Sequence, residues 1–403
     1  MKPLRLMAML LALGASVAWP AAGAGGRIQL NNDCPPGFEL NTGHCELRSL
    51  YQMYPSLQDA GVGGLKTGLP EYRDGFSPQQ IDLGRYLFFD PLLSAGGSQS
   101  CASCHQPDKG FADGLGRSIG HNGQQLTRSA PSLWNVAFLK SFFWDARAST
   151  LEEQVQGPLY HPAEMANDPV RMLADLNASA AYLELFGVAF PAVDIAGEGI
   201  GLDQVYTALA AFESSLVSLN SRYDQYAHGY ADALSENEKE GLNIFRSFVA
   251  RCAECHTPPL FTNQQVAVLG TPEPEGMPFD PGAGAVGDPT QRGGFKVPSL
   301  RNIELTAPYM HSGRFASLKE AAEFYTLGRG HAVPEGEDLK IHWHIWEPNL
   351  SDTELDRLVD FMKTLTDESF KPREPELLPS GLAPVHRSNA RGGELTSGEH
   401  NNE

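Results

Sequence analysis

Several things are scarce in this 403-residue chain, and each scarcity excludes something. Positive charge is short: 30 Lys and Arg stand against 49 Asp and Glu, a formal net charge of −19. So acidic a surface argues against nucleic acid as a partner and suits long-range attraction of a basic protein. Long hydrophobic runs are missing after the first residues, so no membrane span is expected in a mature chain. Period-two strand patterns are sparse, which points to a mostly α-helical fold with long loops. Cysteine is limited to six residues, few enough that each can be given a place.

The N-terminus opens Met1-Lys2-Pro3-Leu4-Arg5, continues as an apolar run from Leu6 to Val17, and reaches Ala22-Gly23-Ala24. A basic start, a short apolar region and a small-residue site describe a secretory signal peptide over 1–24, and hence a periplasmic protein. The run is too short to span a bilayer.

Four of the cysteines fall in Cys101-Ala102-Ser103-Cys104-His105 and Cys252-Ala253-Glu254-Cys255-His256. Both read C-x-x-C-H, the pattern of c-type haem attachment. Two thioethers on one short turn anchor one porphyrin, and the following His reaches the iron. One copy alone also fits a redox dithiol or half a zinc site; two copies with no matching Cys/His partners nearby do not. The chain is therefore expected to carry two covalently bound haem c groups, held by Cys101, Cys104 and His105, and by Cys252, Cys255 and His256. Cys34 and Cys45 remain, and in an oxidising compartment they most simply pair.

The motifs sit inside a longer repeat. Pro131-Ser132-Leu133-Trp134-Asn135 returns as Pro298-Ser299-Leu300-Arg301-Asn302, and the stretch from Trp144 to Leu151 returns from His311 to Leu318, at one offset of 167 residues. A constant offset implies two cytochrome c-like haem domains related by internal duplication, with Trp144 and His311 in equivalent places. The expected organisation is a signal peptide (1–24), an N-terminal extension with the disulfide (25–76), a first haem domain (77–232), a second (233–370) and a disordered, Pro/Gly-rich tail (371–403). Ser77-Pro78, Ser235 with Glu238, Ser317 with Glu320 and Ser351 with Glu354 are helix-start signals. A further helix is expected from Leu202 to Leu219. Glycines 110, 114, 116, 120 and 123 mark a loop that changes conformation cheaply.

Taken together, Gly84-Arg85-Tyr86-Leu87-Phe88-Phe89-Asp90-Pro91, the two haem motifs, Phe143-Trp144-Asp145, Leu151-Glu152-Glu153-Gln154, Glu164-Met165, and Val297 to Asn302 followed by Ala307 to His311 resemble the bacterial di-haem cytochrome c peroxidase and MauG family over roughly 77–370. The resemblance implies a peroxide-reacting haem in the first domain and an electron-transferring haem in the second. It implies Glu164 as acid/base and Gln154 as the amide that orients peroxide. It implies Trp144 as an aromatic between the haems. His121, sixteen positions after the proximal His105, matches a residue that in some members closes the first iron at rest.

For the second iron the candidates opposite His256 are Tyr309, Met310, His311 and Tyr325. The stripe Leu318, Ala321, Ala322, Tyr325 turns Tyr325 inward and leaves Phe324 off it; the resemblance puts the axial ligand at Tyr325, usually Met in the peroxidases and Tyr in MauG. The family also implies a calcium held by an Asn side chain and two backbone carbonyls. The carbonyls map to Thr306 and Pro308, but the Asn position is Ser129, a weaker ligand. His342 and His344 alternate in Ile341-His342-Trp343-His344 and could share one side of an extended segment, but no third metal ligand is evident.

Three readings follow. The first is a di-haem peroxidase that reduces hydrogen peroxide with electrons from a small c-type cytochrome or another electron-donor protein. The second is a MauG-type enzyme whose high-valent di-haem state oxidises aromatic residues of a partner protein. The third is a non-enzymatic electron-transfer cytochrome, which needs both irons permanently six-coordinate.

Overall fold

The computed structural model describes residues 28–49, 68–326, 333–334 and 336–385. The expected signal peptide over 1–24 lies outside the described residues. In chain order the elements are β1 (Phe38–Asn41), β2 (His44–Leu47), α1 (Pro78–Phe89), α2 (Cys101–Cys104), α3 (Leu151–Tyr160), α4 (Pro169–Ala178), α5 (Ala180–Ala189), α6 (Ile195–Glu198), α7 (Leu202–Ser214), α8 (Arg222–Ala227), α9 (Glu236–Phe245), α10 (Cys252–Cys255), β3 (Val266–Val268), β4 (Gly294–Lys296), α11 (Leu318–Thr326) and α12 (Asp352–Lys363). Helix dominates; β1 pairs antiparallel with β2, and β3 with β4.

The helix starts follow from capping. Ser77 and Gln80 form a capping box with Pro78 in the first turn, and Ser235/Glu238 and Ser351/Glu354 form two more. Each satisfies N–H groups that the helix cannot bond internally. Helix α7 stops at Ser214, short of the Leu219 that its apolar pattern suggests. The Ser215 hydroxyl there bonds back to the Phe212 carbonyl at 2.7 Å, so a serine side chain competes with the helix.

Two large clusters of buried side chains organise the chain. One gathers Leu83, Leu87, Phe88, Phe111, Trp134 and Phe212; the other gathers Tyr223, Phe245, Phe261, Phe361 and Leu365. Each is built on a helix crossing with a glycine at the contact. A Cβ on Gly84 of α1 would overlap the Ala208 carbonyl oxygen of α7, and a Cβ on Gly241 of α9 would overlap that of Arg357 in α12.

Cys34 and Cys45 are disulfide-bonded. The β1–β2 hairpin packs through Phe38 and Cys45 onto Phe76, Ile81 and Ala211, so the extension lies against α1 and α7. The loop glycines read as freedom also serve close approach. A Cβ on Gly120 would overlap the Ala163 carbonyl oxygen, and one on Gly313 would overlap the Gly116 Cα.

The tail differs from expectation between 371 and 385. It carries no helix or strand, but it crosses back onto the first cluster, where Leu378 is only 4% exposed. Arg85 donates to the Arg373 carbonyl at 2.9 Å, and the Ser380 hydroxyl donates to Asp90 at 2.8 Å. One leucine and a few polar anchors suffice to order a segment whose composition suggests disorder. Residues 386–403 lie outside the described residues.

Gly84→Ala and Gly241→Ala should each destabilise the protein. The added methyl meets backbone, which no rotamer change relieves, so a cost of about 1–3 kcal/mol is expected from overpacking. Urea unfolding of the variants reads this directly; midpoints equal to wild type would contradict the crossing geometry.

Candidate functional site

Around the first C-x-x-C-H, α2 is a single turn whose start is fixed by Ser103 Oγ, which accepts from the Ser100 N–H at 3.0 Å. His105 follows as its cap. Its Nδ1 lies 2.8 Å from the Phe111 carbonyl oxygen. A carbonyl can only accept, so Nδ1 carries the proton and Nε2 is left as the basic nitrogen. Burial holds the ring below the ordinary imidazole range, and the Phe111 and Pro131 carbonyls oppose that.

His105 lines a cavity of about 510 Å³, together with Cys104, Trp144, Gln154, Glu164 and Lys296 among others. That size lies within the range of cofactor pockets. Neither cysteine of the turn is in a disulfide. Burial raises both thiols, Cys104 to about 12. Two unpaired cysteines on one turn, followed by a histidine with a basic Nε2, suit two thioethers and one iron ligand. The residues present therefore fit a haem.

Gln154 on α3 and Glu164 in the following turn face this cavity together. Burial raises the Glu164 carboxyl above its ordinary value, with His161 and Arg147 pulling the other way. Trp144 also lines the cavity. Its indole N–H donates to the Ser129 carbonyl at 2.9 Å, and its own carbonyl accepts from the Lys296 N–H at 2.7 Å. Ser129 in turn donates its N–H to the His311 carbonyl at 2.7 Å, so Trp144 and His311 meet at one residue. His311 itself is buried, stacked on Phe295 at 3.8 Å, with Nε2 2.9 Å from Glu273.

His121 is not brought to the cavity. Its backbone N–H donates to the carbonyls of Ala163 and Glu164, both at 2.9 Å, and its ring packs toward Gly96. The loop expected to carry it onto the iron is pinned by these backbone bonds. At the expected calcium position the Ser129 hydroxyl donates to the carbonyls of Met310 and His311 at 3.1 and 3.2 Å.

The second C-x-x-C-H repeats the first arrangement. His256 Nδ1 lies 3.1 Å from the carbonyl oxygens of both Phe261 and Pro298, so its Nε2 is again the basic nitrogen. Burial raises the Cys252 thiol to about 12 and raises that of Cys255. On α11 the inward residue differs from expectation: Phe324 is buried at 5% exposure against Phe315, while Tyr325 is half-buried. Phe324 takes the inner wall of the helix, and Tyr325 lies beside the haem motif. Burial raises the Tyr325 phenol, and the nearby Cys255 and Cys252 add to the shift. Of the other candidates, Tyr309 spends its hydroxyl on the Ile303 carbonyl at 3.2 Å.

Three groups escaped the sequence reading. Glu213 and Lys296 line the first cavity, and burial pushes each to about 8, the acid upward and the amine downward. Arg301 is fully buried; it donates to Asp224 at 2.7 Å and to the Pro259 carbonyl at 2.6 Å. Its only sequence signal is its place in the repeat, where it matches Trp134.

A family model described as di-haem cytochrome c peroxidase matches residues 78–232. Cytochrome c551 peroxidase of Nitrosomonas europaea is 35% identical over 319 residues, covering 78% of this chain and 87% of that protein. The methylamine utilization protein MauG of Methylorubrum extorquens is 35% identical over 304 residues, covering 75% and 82%. The crystal structure of a MauG-like protein associated with microbial copper homeostasis aligns with a TM-score of 0.68 at 33% identity, covering 76% of this chain and 96% of that one. Relatives this similar over most of their length make the chain a member of the di-haem cytochrome c peroxidase and MauG family, an oxidoreductase that acts on peroxide and uses haem.

Proposed function

We propose that the protein is a periplasmic di-haem enzyme that reacts with hydrogen peroxide at the first cavity. The observation that carries this reading is the convergence of Glu164 and Gln154 on the cavity that His105 lines. Cys101, Cys104 and His105 would hold the first haem c, and Cys252, Cys255, His256 and Tyr325 would hold the second. Bound haem would supply the iron at which peroxide is reduced. Glu164 takes a proton from the peroxide and returns it to the outer oxygen, and the Gln154 amide orients that oxygen. Lys296, a buried amine in the same cavity, would pair with a carboxylate of the cofactor. Reduction of one peroxide to two waters consumes two electrons and two protons.

The two haem domains, 77–232 and 233–370, are read as an internal duplication. The bridge Phe142–Ala148 has its counterpart in Tyr309–Phe315, at the offset of the sequence repeat, and the turn Val136–Phe138 has its counterpart in Ile303–Leu305.

Tyr325 favours the MauG-type reading over a cytochrome-fed peroxidase. A phenolate ligand stabilises oxidised iron, which makes a poor acceptor of electrons and a good store of an oxidising equivalent. Trp144 lies on the first cavity and would relay charge between the haems. The electron donor in the alternative reading is a small, basic cytochrome, matched to the acidic chain.

Glu164→Gln should slow the reaction of the di-haem protein with peroxide by about 100-fold or more while both haems stay bound. Because only the carboxylate accepts a proton and burial raises its pKa, the wild-type rate should fall with decreasing pH at a higher pH than for an exposed Glu. Stopped-flow kinetics across pH checks both; an unchanged rate in the variant removes Glu164 from the reaction. Tyr325→Met should raise the midpoint potential of the second haem, because a thioether favours reduced iron. Redox titration reads this, and an unmoved potential would leave Tyr325 as a packing residue.

A further inference from the structure

Beside the second haem motif, the segment after 336 folds across the C-x-x-C turn. The His342 N–H donates to the Val268 carbonyl at 2.8 Å, and the Trp346 indole donates to the Val249 carbonyl at 2.9 Å. These bonds bring His342 and His344 to the turn, where a ring nitrogen of each and the Cys255 sulfur lie within 4.8 Å of one another. A carboxylate stands beside this pair: Glu254 Oε2 lies 2.6 Å from His344 Nε2.

His344 is the telling residue. Its side chain is 16% exposed, yet neither ring nitrogen makes a hydrogen bond; the contact with Glu254 is close but not directed as one. A buried nitrogen whose one polar neighbour is not aligned to hydrogen-bond it recovers little of the cost of leaving water, and an ion shared with the carboxylate would recover it. Trp343 lies against His344 with ring centroids 3.6 Å apart and covers its outer side.

We propose that Glu254, His342 and His344 bind one divalent late transition-metal ion, Cu(II) most tightly, at the edge of the second haem site. Two imidazoles and a carboxylate suit copper and zinc, and copper stands highest in the affinity order. The Cys255 sulfur, once in a thioether, is a weak fourth donor. Ligand atoms on a tetrahedral ion of this kind sit about 3.4 Å apart, so the two imidazole nitrogens, within 4.8 Å of each other, would draw together while the Glu254–His344 pair opens from 2.6 Å. The binding needs no peroxide chemistry, so it stands or falls separately from the proposed function.

The experiment treats the di-haem protein with a chelator, dialyses it against copper sulfate, and measures copper and haem per chain together with the Cu(II) EPR spectrum. Wild type should retain one copper per chain with nitrogen hyperfine splitting. His342→Ala and His344→Ala should each weaken copper binding by about 100-fold or more, and Glu254→Gln by at least about tenfold, with haem content unchanged. Wild type that retains no copper overturns the proposal. So does a copper signal without nitrogen coupling, which is read on wild type and needs no variant to fold. Retention by the Glu254→Gln and His344→Ala proteins equal to that of wild type overturns it as well.

Discussion

Both sites depend on one hydrogen bond, from a histidine Nδ1–H to a backbone carbonyl. His105 uses the carbonyl of Phe111 and His256 that of Phe261. Each phenylalanine is fully buried with a positive φ, 59° and 57°, a conformation that turns its carbonyl toward the ring while its side chain enters the core. The residue that packs on each phenylalanine comes from the repeated Pro-Ser-Leu-x-Asn segment. Trp134 meets Phe111 edge-on at 5.2 Å, and the Arg301 guanidinium lies 5.5 Å over Phe261. The same job is done once by an aromatic and once by a cation, and the cation must then be neutralised by Asp224. Breaking such a buried pair costs about 3–5 kcal/mol, so the second site is tied to helix α8 in a way the first is not.

That dependence separates what was legible in the sequence from what was not. The C-x-x-C-H turns, the caps at Ser77, Ser235 and Ser351, and the Cys34–Cys45 pair are local in sequence, and local rules find them. Arg301 and Asp224 are 77 residues apart, and no periodicity announces a fully buried arginine. Glu213 lies near the end of an apolar helix and reads as its solvated edge, yet it faces a cavity. On α11 the period of 3.6 puts Tyr325 on the apolar stripe and Phe324 beside it, and packing against Phe315 is what buries Phe324. Loop composition suggests a mobile His121, but backbone bonds to Ala163 and Glu164 decide its position.

The two C-x-x-C-H turns share the histidine-to-carbonyl bond and differ in what surrounds them. The first adds a carboxyl with a raised pKa and an amide inside a cavity, a setting for moving a proton. The second adds a phenol beside the cysteines and a pair of histidines on the outer side of the turn, a setting for storing or passing charge. Between them Trp144 is held at both ends, by Ser129 through its indole and by Lys296 through its backbone.

The central claim is that the first iron is open to peroxide while the second is closed by Tyr325. The EPR spectrum of the fully oxidised di-haem protein tests it most directly. The account predicts one high-spin ferric signal, from a first iron without a His121 ligand, and one low-spin signal that Tyr325→Phe abolishes. Two low-spin signals with no high-spin component, both indifferent to that substitution, would contradict it.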